Sequence, residues 1–368
     1  MRSPISICKY LKLYWTNASV LRRQRRRVSF CSDTLRWCYS GFFCLDELLQ
    51  SKAVDRIAEA VRKIMESMKN YVPRIQFCLL LLPFFLLLSS VGLAQGNRFV
   101  VSVPVANMFS APSANVDVVS QAIFSTNVDE LAEQPGWVKI RTPDDGYTGW
   151  VSDSDLVELH GNVGYATTGE VAEVEELRSH LYPNPDVTTH APLLTLPFEA
   201  RLEIVKEKPG DRWLQVHLPD GRTAWVQRGD VALSANGGAD LKAHMHIPEM
   251  VQFSHRFLGL PYTWGGSSSF GYDCSGFVQM LMRQRGYLIP RDADVQAAWS
   301  GFEPVKVSAL RAGDVLFFGS DGKITHTGMY IGNGKFIQAT THDHPIIQIS
   351  PLNAYWRKLL VVERRVKP

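Results

Sequence analysis

The chain has 368 residues, 39 of them Lys or Arg and 36 Asp or Glu, for a formal net charge of +3. The balance is uneven: residues 1–94 hold 15 basic and 6 acidic side chains, which leaves 24 against 30, a net −6, for residues 95–368. The basic character belongs to the leader, the remainder lacks the positive field that nucleic-acid binding needs, and its 274 residues suffice for two or three small domains.

The leader reads in two parts. Residues 1–64, with the run Arg22-Arg23-Gln24-Arg25-Arg26-Arg27, do not resemble an export signal. A basic run can serve nucleic acid. A start codon assigned too early, with Met65 or Met68 the true start, is the preferred reading, because an export signal must stand at the N-terminus. Lys69 and Arg74 then precede an apolar run from Ile75 to Leu93, and Gly92-Leu93-Ala94 forms a small-x-small cleavage site. Residues 65–94 are therefore expected to be a secretory signal peptide, with Gln95 the first mature residue and the product exported to a periplasm or the medium. The alternative is an uncleaved anchor, since the run is nearly long enough to span a bilayer. Five cysteines (Cys8, Cys31, Cys38, Cys44, Cys78) fall in this leader. No cysteine follows a lipobox-like pattern, so no lipid anchor is expected, and no stable membrane insertion is expected after signal cleavage.

Two later segments repeat one pattern. Gly136-Trp137-Val138-Lys139-Ile140-Arg141 with Gly149-Trp150-Val151 matches Arg212-Trp213-Leu214-Gln215-Val216-His217 with Ala224-Trp225-Val226, at offsets of 76 and 75 residues. Each copy reads as strand, Pro-Asp turn and strand. Short strands such as Phe99–Val103 and Leu202–Val205 precede them. Two small all-β barrels are expected, at 98–158 and 163–233, similar to bacterial SH3-like domains, with the tryptophans in their cores.

Ser234-Ala235-Asn236-Gly237-Gly238-Ala239-Asp240 is a linker by composition, and a third domain is expected over 241–368. Pro248 opens a helix with Met250, Val251, Ser254, Phe257 and Leu258 on one face, ended by Gly259. Asp273 can cap a second helix. Alternating strands follow at Asp314–Phe318, Thr327–Ile331 and Lys335–Ala339. Helices first and an antiparallel sheet afterwards predicts α+β.

Cys274 is the one cysteine beyond residue 78, so it has no disulfide partner in an exported chain. At a helix start it faces unpaired N–H groups, which favour a thiolate. Acyl transfer by a thiol needs an acid for the leaving amine, usually His. His326 begins the strand before the turn Gly332-Asn333-Gly334. Folding about residue 332 sets 326 opposite 338, so Gln338 can hold the distal ring nitrogen and fix the tautomer. The pairs His244-x-His246 and His342-x-His344 lack further ligands at metal spacing and read as solvated loop residues. No phosphate loop is seen, and no cofactor or metal is expected.

The strings Phe257-Leu258-Gly259-Leu260-Pro261-Tyr262-Thr263-Trp264-Gly265-Gly266, Asp273-Cys274-Ser275-Gly276-Phe277 and His326-Thr327-Gly328-Met329-Tyr330-Ile331-Gly332 together resemble the NlpC-type cell-wall cysteine peptidases over residues 249–365. The resemblance implies a papain-like fold, Cys274 as nucleophile, His326 as base and Gln338 at the third position, where many members carry His. Tyr262, with the N–H of Cys274, would border the oxyanion site, and Trp264 is a further substrate-side candidate. The family implies cleavage beside γ-D-glutamyl in peptidoglycan peptides. One branch joins two SH3-like domains to the catalytic one and acts on stem peptides with a free N-terminal L-Ala, L-Ala-γ-D-Glu-diamino acid. Pro290-Arg291-Asp292-Ala293 resembles that branch's motif, with Asp292 on the substrate ammonium and Arg291 on the α-carboxylate of D-Glu; Ala293 stands where the branch often has Ser. Asp273 and Ser275 would line the pocket, or Asp273 would act only as a cap. Tyr147 of the first repeat would close the site, and Asp117 could add a second acid. A monomeric enzyme is expected. The rival readings are a broader murein endopeptidase anchored by its barrels, and a catalytically dead wall-binding protein.

Overall fold

The computed structural model describes residues 98–161, 163–206, 210–238 and 245–367, with Glu59, Arg62 and Lys63 ahead of them. The chain divides into two units, Met1–Leu93 and Ala94–Pro368. The expected signal peptide, its apolar run and His244 lie outside the described residues. Among the described residues no helix is long and apolar enough to cross a membrane.

In the second unit β1 (Arg98–Val101), β2 (Val105–Phe109), β3 (Val118–Ile123), β4 (Asn127–Gln134), β5 (Trp137–Arg141), β6 (Thr148–Ser152) and β7 (Leu156–Leu159) form one sheet in the order β3-β2-β6-β5-β4-β1-β7. Then β8 (Val171–Val174), β9 (Arg178–Tyr182), β10 (Leu194–Pro197), β11 (Arg201–Lys206), β12 (Trp213–His217), β13 (Thr223–Gln227) and β14 (Val231–Ser234) form a second, in the order β10-β9-β13-β12-β11-β8-β14. The second order is the first with every strand advanced by seven. The repeat therefore extends from two tryptophan hairpins to the whole topology.

Side-chain alternation decides what each hairpin buries. Val138, Ile140 and Val151 are buried in the first, and Leu214, Val216 and Val226 in the second. The tryptophans between them fall on the other face and are half-buried, which corrects the expectation that they form the cores. Trp137 stands edge-on to Phe109 at 5.4 Å and Trp213 edge-on to Tyr182 at 5.7 Å, the same strand pair in each repeat. Val100 and Phe124 of the first repeat join the apolar cluster of the second, beside Leu181, Leu202 and Val216.

The remainder is mixed α/β: α1 (Ile247–Ser254), the short pair β15 (Ser267–Ser268) and β16 (Gly271–Tyr272), α2 (Cys274–Gln284), α3 (Ala293–Ala297), then β17 (Phe302–Pro304), β18 (Val315–Ser320), β19 (Lys323–Gly332), β20 (Lys335–Thr340), β21 (Ile346–Pro351), α4 (Ala354–Leu359) and β22 (Leu360–Val366). α1 is shorter than expected, because the backbone tightens into a 3-10 turn over His255–Phe257 before Gly259. The strands pair antiparallel in the order β17-β22-β18-β19-β20-β21. β18 is buried on both faces: Val315 and Phe317 pack with Val278 and Met282 of α2, and Leu316 and Phe318 pack with Trp356 of α4. Phe198, in the β10–β11 connection, enters the cluster of Met250, Phe277 and Met280 and meets Phe257 edge-on at 5.9 Å.

Candidate active site

Asp273 caps α2 by accepting the Gly276 N–H at 2.7 Å, and Cys274 is the helix's first residue. The thiol is 8% exposed. The N–H groups of Thr327, next to His326 on β19, and of Ser275 lie close enough to the sulfur to favour its anionic form. The helix of Cys274 and the strand of His326 therefore meet at the thiol.

His326 Nε2 lies 2.5 Å from Gln338 Oε1. Gln338 is fully buried, and its Nε2 donates to Ser350 Oγ at 2.9 Å. With the amide nitrogen directed at Ser350, its oxygen accepts from His326. Nε2 then carries the ring proton and Nδ1 the lone pair. The imidazole stacks on Trp356 at 5.5 Å and tilts against Phe318 at 5.8 Å, so its plane is held by packing. The pairing differs from the expected register. Met329 pairs with Ile337 and Tyr330 with Phe336, with an irregularity before Gly332, which sets 338 opposite 328. A shift of two residues preserves the sheet face, and a diagonal neighbour on that face is within reach of a long side chain.

Burial pushes the Cys274 thiol up to about 12; the Asp273 charge adds to this, and the N–H groups of Thr327 and Ser275 and the Arg291 charge oppose it. The expected helix-start thiolate is therefore not the resting form, because desolvation outweighs the helix N–H groups. Burial also holds His326 below the ordinary imidazole value, against the opposing Gln338 bond and Asp273 charge; His342 adds to the lowering. Both shifts favour an uncharged pair. Tyr262 is half-buried and forms a β-bridge with Tyr272, two residues ahead of Cys274; its hydroxyl is pushed up first by burial and then by the charges of Cys274 and Asp273.

Arg291, Asp273 and Ser275 engage one another. The guanidinium is 2% exposed. Its Nη1 donates to Asp273 Oδ1 at 3.0 Å and Ser275 Oγ at 2.8 Å, its Nη2 to Asp273 Oδ2 at 2.6 Å, and its Nε to Ser120 Oγ at 3.1 Å and Ser267 Oγ at 3.0 Å. The role expected for Arg291 on a substrate carboxylate is corrected: every guanidinium nitrogen is already engaged, and freeing one would leave a buried charge unpaired. Asp273 is both cap and counter-ion. Ser275, 6% exposed, belongs to the same lattice beneath the nucleophile.

Asp292 is different. Its two carboxylate oxygens accept from the Tyr147 hydroxyl at 3.3 and 3.2 Å, across the seam between the first sheet and the α/β part. Burial raises the Asp292 pKa, against the opposing Arg291 charge and Tyr147 bond. Asp117 is exposed, and among the described residues no hydrogen bond or ion pair joins its side chain to Asp292. Trp264 is 70% exposed, and among the described residues no ring contact holds it against the site. The sequence reading did not include Ser350, Asp145, Gln279 or Gln296. Gln296 Nε2 donates to Ser275 O at 3.0 Å and Pro290 O at 2.9 Å, tying the Asp292 segment to α2. His342, read as solvated, stacks on Tyr355 at 4.5 Å. Among the described residues no cluster of three His, Cys, Asp or Glu could hold a metal.

A thiol at a helix start, an imidazole on the facing strand and an amide behind it make the polar set of a cysteine-type hydrolase. The NlpC/P60 family matches residues 259–365, and the bacterial dipeptidyl-peptidase Sh3 domain matches 108–156. A gamma-D-glutamyl-L-lysine dipeptidyl-peptidase of Bacillus cereus is 30% identical over 249 residues, covering 64% of this chain and 70% of that protein. One of the same description from Bacillus subtilis is 29% identical over 262 residues, covering 67% and 81%. The crystal structure of an NlpC/P60 family protein from Bacillus cereus shares the fold, with a TM-score of 0.63 at 24% identity, over 74% of this chain and all of that one. The chain belongs to the NlpC/P60 family.

Proposed function

We propose that the protein is a cysteine peptidase that hydrolyses the bond from γ-D-Glu to a diamino acid in peptidoglycan stem peptides bearing a free N-terminal L-Ala. Asp292 carries the reading. It is a partly buried carboxylate bonded by a tyrosine from the first sheet, and its neighbour Arg291 is committed to Asp273 and Ser275, the residues on either side of Cys274. An ammonium satisfies such a carboxylate, whereas an acylated amine leaves it unpaired. The relatives' descriptions as gamma-D-glutamyl-L-lysine dipeptidyl-peptidases agree with that chemistry. The identical strand order supports a second SH3-like module where one is matched, and export follows from the leader.

In this mechanism Cys274 Sγ attacks the γ-carbonyl carbon as His326 Nδ1 takes the thiol proton. The oxyanion forms beside the Cys274 N–H and the Tyr262 hydroxyl. The C–N bond breaks as His326 returns that proton to the leaving amine. Water then attacks the thioester with His326 as base, and the sulfur leaves as thiol once reprotonated. Gln338 holds the tautomer throughout.

Turnover of L-Ala-γ-D-Glu-diaminopimelate and of its N-acetylated form, followed by product mass, tests this. Cys274→Ala should abolish cleavage with the fold retained. The free amine should be preferred by roughly tenfold or more, as expected when a buried charge loses its partner. Equal rates on the two peptides would point instead to a broader murein endopeptidase. Full activity in Cys274→Ala would reject the assignment.

A further inference from the structure

The Tyr147–Asp292 contact depends on where the β5–β6 turn is held. Asp145 organises that turn: its Oδ1 accepts from the Tyr147 N–H at 3.0 Å and the Thr142 hydroxyl at 2.5 Å. Its other oxygen, Oδ2, leaves the sheet and accepts from Gln279 Nε2 at 2.9 Å. Gln279 is 7% exposed on α2, the helix that begins with Cys274, and its Nε2 also donates to Ile289 O at 3.0 Å, just ahead of Pro290-Arg291-Asp292. One carboxylate thus joins the tyrosine's own backbone, the nucleophile helix and the segment that carries Asp292.

The second repeat serves as an internal control. Asp220 stands at the equivalent place, and its Oδ1 accepts from the Arg222 N–H at 3.1 Å. Its Oδ2 accepts from Arg222 Nε at 2.7 Å, on the exposed side of the turn. The hairpin therefore needs the first of these bonds, and nothing in its scaffold requires the second to reach another module. From this contrast we infer that Asp145, through Gln279, is a positioning residue that sets Tyr147 over Asp292 and so controls selection for a free α-amine. The inference rests on the reading of Asp292 as the ammonium site.

The test uses the full chain with Asp145→Asn and Asp145→Ala. Asn retains the acceptor toward Tyr147 and Thr142 but opposes a second NH2 to that of Gln279. KM for the free-amine peptide should rise roughly tenfold, the scale of a lost hydrogen bond to a charged group, with kcat within about twofold. The ratio of free to acetylated turnover should fall by a similar factor, and Asp220→Asn should change neither quantity. Alkylation of Cys274 at unchanged rate shows that the fold and nucleophile survive. Amide exchange over residues 142–147 and 277–281 should quicken in both Asp145 variants. Unchanged KM and ratio in both would overturn the inference. If the unmodified protein cleaves neither peptide, the functional reading fails and exchange alone judges the strut: faster exchange supports it and unchanged exchange overturns it.

Discussion

At Cys274 two local effects compete. The N–H groups of Thr327 and Ser275 and the Arg291 charge favour a thiolate, while burial and the adjacent Asp273 favour a thiol, and burial wins. With His326 also held below its ordinary value, the resting pair is thiol and imidazole, which in the proposed mechanism leaves His326 to act as base at the moment of attack. Iodoacetamide labelling of Cys274 should therefore climb through the alkaline range, with its midpoint above the roughly 8.5 of a free thiol. A plateau of reactivity at neutral pH would overturn the neutral pair. The kcat/KM profile needs neutral His326, so a lowered imidazole pKa moves its acid limb below about 6.5.

Gln338 adds a second residue-level consequence. An amide presents a donor at one end and an acceptor at the other, so its orientation decides which ring nitrogen of His326 carries the lone pair. Ser350 occupies the donor end. Ser350→Ala leaves that buried NH2 without its acceptor, at about 1–3 kcal/mol, and should lower kcat roughly tenfold with little change in KM. In a Gln338→Ala background the same change should have no further effect on kcat. Additive losses would show that Ser350 acts elsewhere. The position of Cys274 at a helix start and the contact of His326 with Gln338 were legible in the sequence because helix-start and hairpin signals are local. The occupation of Arg291 was not, because Ser120 and Ser267 reach it only through the tertiary fold.

Among the elements, the β19–β20 hairpin shows what a pattern can and cannot specify. Its existence followed from the Gly-Asn-Gly turn and the alternating apolar residues. Its register did not: the turn centres on Asn333 and Gly334, with Gly332 opposite Lys335, and a one-residue irregularity between Tyr330 and Gly332 leaves the pairing two residues from the expected one. Parity protected the inference: a shift of one would have sent Gln338 to the other face, and a shift of two does not. Gly328 now faces Gln338. A Cβ there would meet the Phe336 ring at 2.9 Å and Gln338 Cβ at 3.2 Å. Gly328→Ala should therefore cost about 1–3 kcal/mol from overpacking, seen as a lower Tm, and should reduce kcat by moving the amide away from His326. Unchanged kcat at lowered Tm would separate packing from positioning. The same alternation explains the tryptophans: the repeat was visible because indoles are rare, yet the period-two pattern buries their aliphatic neighbours.

Across the whole molecule, the Ala94–Pro368 unit shares its apolar clusters between sequence-defined modules. The first repeat contributes Phe124 to the cluster of the second, and the second contributes Phe198, 6% exposed, to the cluster beneath α2. Glu199, the next residue, accepts from Arg283 Nη2 at 2.7 Å and Gln284 Nε2 at 2.7 Å at the far end of the same helix. α2 is thus gripped at its middle by Asp145 of the first sheet, through Gln279, and at its end by Glu199 of the second. A linker-like composition near residue 237 suggested separable modules, but the contacts couple them. Thermal unfolding should therefore be a single transition. Phe198→Ala removes a ring from a cluster drawn from both sides of the seam and should cost about 3–5 kcal/mol. That loss should lower the one Tm without splitting it, since both sides of the seam depend on the same ring. Two separate transitions in the unmodified chain, with Phe198→Ala shifting only one of them, would show that the sheets and the α/β part fold independently and that the clusters are contacts of convenience.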